Sequence, residues 1–371
     1  MNITNFYTLE ITTTQKCDMA CSYCFEGEEL QNNTKQNNTE LIVKKIHEML
    51  NDNEFAKKFN GININFWGGE PTLNQTMCKR LIDEFADSPV TFFFYTNGLN
   101  GINLMSIINY FNKRIKDNDR LAFQISYDGL WHDIERVDHQ GKGTKDNVYN
   151  TFQHIKKMFP NIRISLKSVL PVDKLTSSTN DFVENWKHFQ NIQLEYPDID
   201  YSPTLEYTQK YNITDEQMNN IKKQLLMISK LELEHYKLFG KFVLSWFGVK
   251  EHVLCSAGAN ISNIDLEGNL SVCHGALYSP DKEDLKISSI FDTDFVQSIC
   301  SANTKFTELL KMPEQCNGCL ATVCYQCPTV NYSNSDKETL EERYHDPKSD
   351  LCKIYKEFGT ISRTVNKFLK K

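Results

Sequence analysis

The chain lacks any run approaching the roughly 18 consecutive apolar residues of a membrane helix. Its densest apolar stretch, Phe242 to Val249, is short and broken by Ser245 and Gly248, so no membrane association is expected. The first residues, MNITNFYTLEITTT, lack the basic segment and apolar run of a secretion signal, which makes the cytoplasm the expected location. Positive charge is not in excess: 41 Lys and Arg stand against 48 Asp and Glu, a formal net charge of −7. That argues against a general phosphate-binding surface, and nucleic acid is not an expected partner. There is no internal repeat and no low-complexity tract beyond an Asn-rich bias near residues 32–38, and no cysteine occurs between Cys78 and Cys255.

What is present is an ordinary globular composition, 40% hydrophobic and 24% charged, over 371 residues, enough for more than one structural unit. Twelve cysteines in a cytosolic chain suggest metal or redox chemistry before disulfides, because that compartment keeps thiols reduced. Cys17, Cys21 and Cys24 form one group; Cys255, Cys273, Cys316, Cys319, Cys324, Cys327 and Cys352 form a second, with Cys78 and Cys300 left over. The pattern reads as two metal regions separated by a metal-free body.

From residue 7 to about 210, short β-rich runs alternate with amphipathic helical stretches. Strands are expected at Tyr7 to Thr12, Ile62 to Phe66, Val90 to Tyr95, Leu121 to Ser126, Ile162 to Leu170 and Tyr201 to Tyr207. Between them lie helices such as Glu40 to Asn51, with Leu41, Ile42, Ile46 and Leu50 at helical spacing. Repeated strand and helix units make an α/β fold with a parallel sheet, open or curled into a barrel, and place chemistry on the loops at the carboxyl ends of the strands. The distinctive motifs fall there: the first cysteine group after strand one, GGEP (68–71) after strand two, TNG (96–98) after strand three and SYDG (126–129) after strand four. A helical connector follows from about Thr214 to Leu238. Residues 253–328, rich in Cys, Gly, Ser and Asn, read as a small metal-stapled domain with little regular structure, and the tail from Leu351 to Lys371 is helical in pattern. The expected division is a core at 1–240, a cysteine domain at 241–352 and a closing helix at 353–371.

Cys17, Cys21 and Cys24, spaced C-x3-C-x2-C, bring three thiolates to one point from a single loop. Four-iron clusters are held by such groups, and three ligands leave one iron open; a zinc site or three core thiols are the plainer readings. With Tyr23 before its last cysteine and Phe25 after it, the triple resembles the signature of the radical S-adenosylmethionine (radical SAM) enzymes. The C-terminal cysteines extend the likeness. Cys255, Gly268 and Cys273, then Cys316-x2-Cys319-x4-Cys324-x2-Cys327, then Cys352, follow the order of the SPASM domain of peptide-modifying radical SAM enzymes. Two gaps are one residue shorter than the commonest pattern, and paired C-x2-C groups also suit structural zinc.

The resemblance implies a partial (β/α)6 barrel, a cluster domain and a C-terminal helix. It implies a four-iron cluster on Cys17, Cys21 and Cys24 that binds SAM and cleaves it to a deoxyadenosyl radical, which takes hydrogen from a peptide or protein. Gly68, Gly69, Glu70 and Pro71 would receive the SAM ammonium, Ser126 and Asp128 the ribose hydroxyls, with Tyr23 and Asn97 beside them and Arg136 open to the SAM carboxylate. Two auxiliary four-iron clusters are implied, the outer on Cys316, Cys319, Cys324 and Cys352, the inner on Cys255, Cys273 and Cys327. The cysteine that often follows Cys255 closely is missing, so the inner cluster either keeps an open iron or borrows His274 or Cys300. Cys78 reads as a core thiol, and His252, His274 and Tyr325 stand beside ligands.

The product expected first is a thioether or carbon-linked crosslink in a ribosomally made peptide, with a reductant such as flavodoxin or ferredoxin. Only sixteen residues precede Cys17, so no N-terminal peptide-recognition domain is expected and a separate leader-recognition protein would serve. The alternatives are an anaerobic sulfatase maturase making formylglycine, against which stands His274 where those enzymes usually carry an acidic residue, and a non-catalytic zinc-stapled binding protein.

Overall fold

A computed structural model of the chain describes residues 5–24, 35, 37–206, 211–247, 255–279, 282–311, 314–316, 319, 324, 327–346 and 349–369. Six parallel strands form its centre: β1 (Tyr7–Thr14), β2 (Ile62–Gly68), β3 (Val90–Thr96), β4 (Leu121–Ser126), β5 (Arg163–Leu170) and β6 (Tyr201–Leu205). Their spatial order follows the sequence, β1 to β6, as right for successive strand–helix units of a partial barrel. The helices of ten or more residues are α1 (Thr39–Asn51), α2 (Gln75–Glu84), α3 (Gly101–Arg114), α4 (Lys145–Met158), α5 (Asp181–Glu195), α6 (Asp215–Phe239), α7 (Phe295–Leu309) and α8 (Ser349–Leu369).

Local chemistry explains where helices start and stop. Asn38 caps α1 by accepting from Leu41 N, while Ile42, Val43, Ile46 and Met49 bury its apolar face. Thr214 and Gln217 form a capping box on α6, and Gly240, at φ 70°, ends it in the left-handed region. Strands β4, β5 and β6 alternate in burial with period two, while β1 is buried on both faces. One face packs under the helices, with Phe66 and Phe94 stacked at 4.2 Å and Phe123 beyond them at 5.2 Å from Phe94. The opposite face leaves Trp67, Tyr95, Gln124, Ser126, Ser165, Lys167, Ser202 and Thr204 half-exposed. A polar, partly open inner surface therefore runs across the sheet.

The expected strands are all present, with shifted ends. β1 continues to Thr14 because, past an irregularity between Thr12 and Thr14, it still pairs with Gly68; β6 ends at Leu205, and Tyr207 lies outside the described residues. The expectation of little regular structure at 253–328 needs correction. Strand β7 (Ile261–Ile264) pairs parallel with β1, so the sheet runs on through β8 (Asn269–Ser271) and β9 (Lys286–Ser289) to nine strands in the order β6-β5-β4-β3-β2-β1-β7-β8-β9. Helix α7 also falls in this region, since Phe295, Val296, Ile299, Ala302 and Phe306 recur at helical spacing and are buried. Cys-, Ser- and Asn-rich composition hid both. Helix α8 closes the fold against α6 and the 245–247 turn, with Trp246 edge-on to Phe358 at 4.2 Å and Lys222 paired with Glu357 at 3.2 Å. No helix among the described residues is long and apolar enough to cross a membrane.

Candidate active site

The first three cysteines occupy the loop leaving the carboxyl end of β1, and neighbouring loops bind that segment closely. Gly68 (φ 129°) and Gly69 are required there: a Cβ on Gly68 would stand 2.1 Å from Thr14 O, and one on Gly69 2.4 Å from Gln15 O. The two glycines thus let β2 approach the backbone that leads to Cys17, and Glu70 N donates to Lys16 O at 2.9 Å. Asn74 Nδ2 donates to Thr13 O at 3.0 Å. On the other side, Ala20 N and Ser22 N donate to Val137 O and Glu135 O, Ser22 Oγ meets Glu135, and His139 Nε2 lies 2.9 Å from Cys17 O. The 135–139 clamp carries no motif, and of its residues only Arg136 was singled out in the sequence.

Glu70 is fully buried. Its carboxylate accepts from Thr72 N (3.0 Å), Thr72 Oγ1 (2.6 Å), Thr96 Oγ1 (2.9 Å) and Asn97 N (2.7 Å), which ties the loops after β2 and β3 together. Burial raises its pKa to about 7, against the pull of those bonds. Pro71 opens the short turn Pro71–Leu73 that Glu70 caps. Asn97 reaches the cysteine loop itself, donating from Nδ2 to Asp18 Oδ1 at 2.6 Å and to Cys17 Sγ at 3.7 Å.

Asp128 is a second buried hub. Its Oδ2 accepts from Tyr23 OH at 2.6 Å and Arg136 Nε at 2.7 Å, and its Oδ1 accepts from Val169 N at 2.8 Å. The carboxylate that the resemblance assigns to ribose hydroxyls thus accepts three bonds within the chain, which offset the cost of its burial. Arg136, weighed in the sequence as a partner for the SAM carboxylate or an ordinary surface arginine, is buried and paired with Asp128 at 2.7 Å. It lies over the Tyr23 ring at 5.1 Å and donates from Nη1 to Cys21 Sγ at 3.9 Å. Burial works against its charge, but Asp128, Tyr23 and Cys21 outweigh burial and hold the guanidinium more firmly protonated than usual. Ser126 ends β4 half-exposed, paired in register with Lys167 of β5, whose pKa burial lowers to about 8.

The donor set suits an iron–sulfur cluster. All twelve cysteines are free thiols. Burial pushes the Cys17 and Cys21 thiols up, a cost that cationic iron would offset. Met19 N and Asn97 point donors at Cys17 Sγ, and Arg136 points one at Cys21 Sγ, the kind of hydrogen bonding that thiolate ligands of clusters receive. Among the described residues no three His, Cys, Asp or Glu side chains converge as a single metal ion would require.

In the C-terminal region the thiols fall into two interacting sets. Burial raises Cys255 to about 12, with Cys327 adding to it, and Cys273 rises for the same reasons, with Cys327, Glu10 and Cys255 acting on it. Thr329 Oγ1 bridges Cys273 Sγ (3.8 Å) and Cys327 Sγ (3.1 Å). Cys352 is raised by burial and by Cys316, with Cys319 also acting on it. Cys319 N donates to Cys316 O at 3.0 Å, and Cys324 is buried. Cys300, on α7, is raised by burial and feels Asp52, Lys58 and Glu54 rather than another thiol. Cys78 is buried on α2 with Sγ donating to Pro71 O at 3.7 Å. Phe25, His252 and Tyr325 lie outside the described residues.

His274, directly after Cys273, is drawn to the sheet instead. Its N and Nδ1 contact Glu10 Oε2 at 3.0 and 2.8 Å, and Trp67 stacks on its ring at 3.8 Å. Glu10 and Trp67 were not singled out in the sequence; the one signal was a carboxylate inside an otherwise apolar and hydroxylic strand.

A known sequence family, described as a 4Fe-4S single cluster domain, matches residues 10–112, the span that includes the first cysteine group. Solved structures match over nearly the whole chain. Native anSMEcpe with bound AdoMet aligns at a TM-score of 0.70 and 16% identity, covering 98% of this chain and 99% of that one. The chain has the fold of the radical SAM/SPASM enzymes. Native anSMEcpe with AdoMet and the Cp18Cys peptide aligns at 0.67 and 17% identity, covering 97% and 99% of the two chains. Streptococcus suis SuiB bound to precursor peptide SuiA aligns at 0.60 and 12% identity, covering 95% of this chain and 77% of that one. None of the curated proteins matches.

Proposed function

We propose that this chain is a radical SAM enzyme that modifies a peptide. The observation that carries the reading is the loop of Cys17, Cys21 and Cys24, fixed at the carboxyl ends of the strands by the segments that follow β2, β3 and β4. A four-iron cluster held there with AdoMet supplies reductive cleavage of the sulfonium and so a hydrogen-abstracting radical. Cys17, Cys21 and Cys24 would hold three irons, while Asn97, Met19 N and Arg136 donate to the sulfurs. Gly68 to Pro71 stand beside that loop and, with Ser126 at the end of β4, would line the AdoMet site, with Asp128 holding Tyr23 and Arg136 in place. Trp67, Tyr95, Gln124 and Lys167 offer an aromatic and polar surface to a peptide.

The two interacting thiol sets support auxiliary clusters on Cys255, Cys273 and Cys327 and on Cys316, Cys319 and Cys352, to which the family resemblance adds Cys324. A peptide substrate is supported by the structures of anSMEcpe with Cp18Cys and of SuiB with SuiA. The finer reading is a thioether or carbon-linked crosslink in a ribosomally made peptide, fed by flavodoxin or ferredoxin. Formylglycine formation is the second reading, favoured by the end-to-end match to anSMEcpe.

The test is iron, sulfide and zinc per anaerobically reconstituted chain, with deoxyadenosine release under reductant. About twelve irons with little zinc is expected, three clusters of four. About four irons with zinc would overturn the auxiliary clusters, and no deoxyadenosine would overturn the enzyme in favour of a zinc-stapled binding protein. A sulfatase-derived peptide assay separates the two products.

A further inference from the structure

We infer that Glu10 positions the Cys273 loop and sets the charge beside the Cys255, Cys273 and Cys327 group, so that a cluster bound there is harder to reduce than it would be without this carboxylate. The inference rests on reading that group as a cluster site.

Glu10 lies on β1, far from these cysteines in sequence, and is 3% exposed. A buried carboxylate is costly unless hydrogen-bonded, and among the described residues its bonds come from His274, through the backbone N–H at 3.0 Å and Nδ1 at 2.8 Å. Two bonds to the residue next to Cys273 fix both the backbone and the ring orientation there. Trp67, from β2, stacks on the other side of the ring at 3.8 Å and is itself met edge-on by Tyr95 at 4.8 Å. The seam between sheet and cysteine group is therefore built around one buried anion.

That carboxylate stands beside the cysteine group: its Oε2 is bonded to the backbone N and ring Nδ1 of His274, the residue directly after Cys273. A negative charge beside a cluster opposes the arrival of an electron. Potentials of iron–sulfur clusters follow net charge, hydrogen bonding and solvent exposure, and Glu10 bears on the first of these.

The experiment is a potentiometric titration followed by electron paramagnetic resonance on the full chain carrying Cys17→Ala, Cys21→Ala and Cys24→Ala, which leaves only the C-terminal groups. With Glu10→Gln, one of the two C-terminal potentials should move positive by about tenfold in the reduction equilibrium, about 59 mV for one electron, while the other stays. Glu10→Asp should restore most of the shift. No movement, equal movement of both potentials, or the same shift in Asp and Gln variants would overturn the inference. Should Glu10→Gln fail to hold iron, His274→Gln keeps the carboxylate and drops only the ring. Its potential should stay or fall, and a positive shift would overturn the inference. Zinc in place of iron in the Glu10 chain would instead sink the cluster reading on which it rests.

Discussion

The two cysteine regions are held by different means. Cys17, Cys21 and Cys24 sit on one short loop whose backbone and sulfurs receive donors from the segments after β2, β3 and β4. The C-terminal thiols come from residues 255 to 352, spread over loops and helix α8, and are gathered by burial and by the seam around Glu10 and His274. A loop needs neighbours only to fix its shape, whereas a set of distant residues needs the fold itself, since closing longer loops costs more chain entropy. The first region should therefore fail locally and the second globally.

The largest expected effect separates them by chemistry. Replacing Cys17, Cys21 and Cys24 with Ala should reduce deoxyadenosine release to the uncatalysed background, while Cys316→Ala should spare part of it and stop product formation, both read by liquid chromatography of anaerobic reactions. Full turnover by Cys316→Ala would erase the proposed division of labour.

Next is the Asp128 hub. Asp128→Ala would leave Arg136 charged, buried and without its carboxylate, a change that typically costs about 3–5 kcal/mol. Denaturant unfolding should show that loss, with iron lost from the N-terminal loop before the C-terminal groups. Unchanged stability would mean that Arg136 finds another partner.

Gly69→Ala is a smaller and more local break. The added methyl would meet Gln15 O at 2.4 Å and Lys16 O at 2.6 Å, and crowding of this kind costs roughly 1–3 kcal/mol. AdoMet binding, measured calorimetrically, should weaken at least tenfold with C-terminal iron content unchanged.

The smallest effect concerns the strut that leads toward the second region. Glu232, on α6 and fully buried, accepts from Trp186 Nε1 (2.6 Å), Val243 N (2.9 Å) and Leu244 N (2.7 Å). Burial raises its pKa from 4.5 to about 7. A carboxyl raised on folding binds its proton more tightly in the native state, so its contribution is complete below about pH 4.5 and fades as pH rises through 7. Glu232→Gln should flatten that part of the stability curve, read as unfolding midpoints between pH 4.5 and 8, and an unaltered slope would assign it to other groups.

Much of the fold was legible because strand–helix alternation carries its own period: the helical spacing of Leu41, Ile42, Ile46 and Leu50 and the ends of β4 read directly. Helix α7 and β7 were missed where composition, rather than period, guided the reading. In the site, spacing exposed the cysteines and glycines, since those residue types are rare and chemically pointed. It could not show that the carboxylates of Glu70 and Asp128 face inward, because a hydrogen bond to Thr96 or Arg136 has no signature in either segment alone.

The sequence by itself determined the parallel core, the thiol-bearing first loop and the presence of a second cysteine region, all of which rest on local period and spacing. Only the tertiary structure decided which thiols interact, that β7 joins the sheet beside β1, and that Glu10 meets His274 across 264 residues. Those facts depend on how buried charges find partners once the chain has closed, and a buried charge is stabilised by whatever the fold brings to it rather than by its neighbours along the chain.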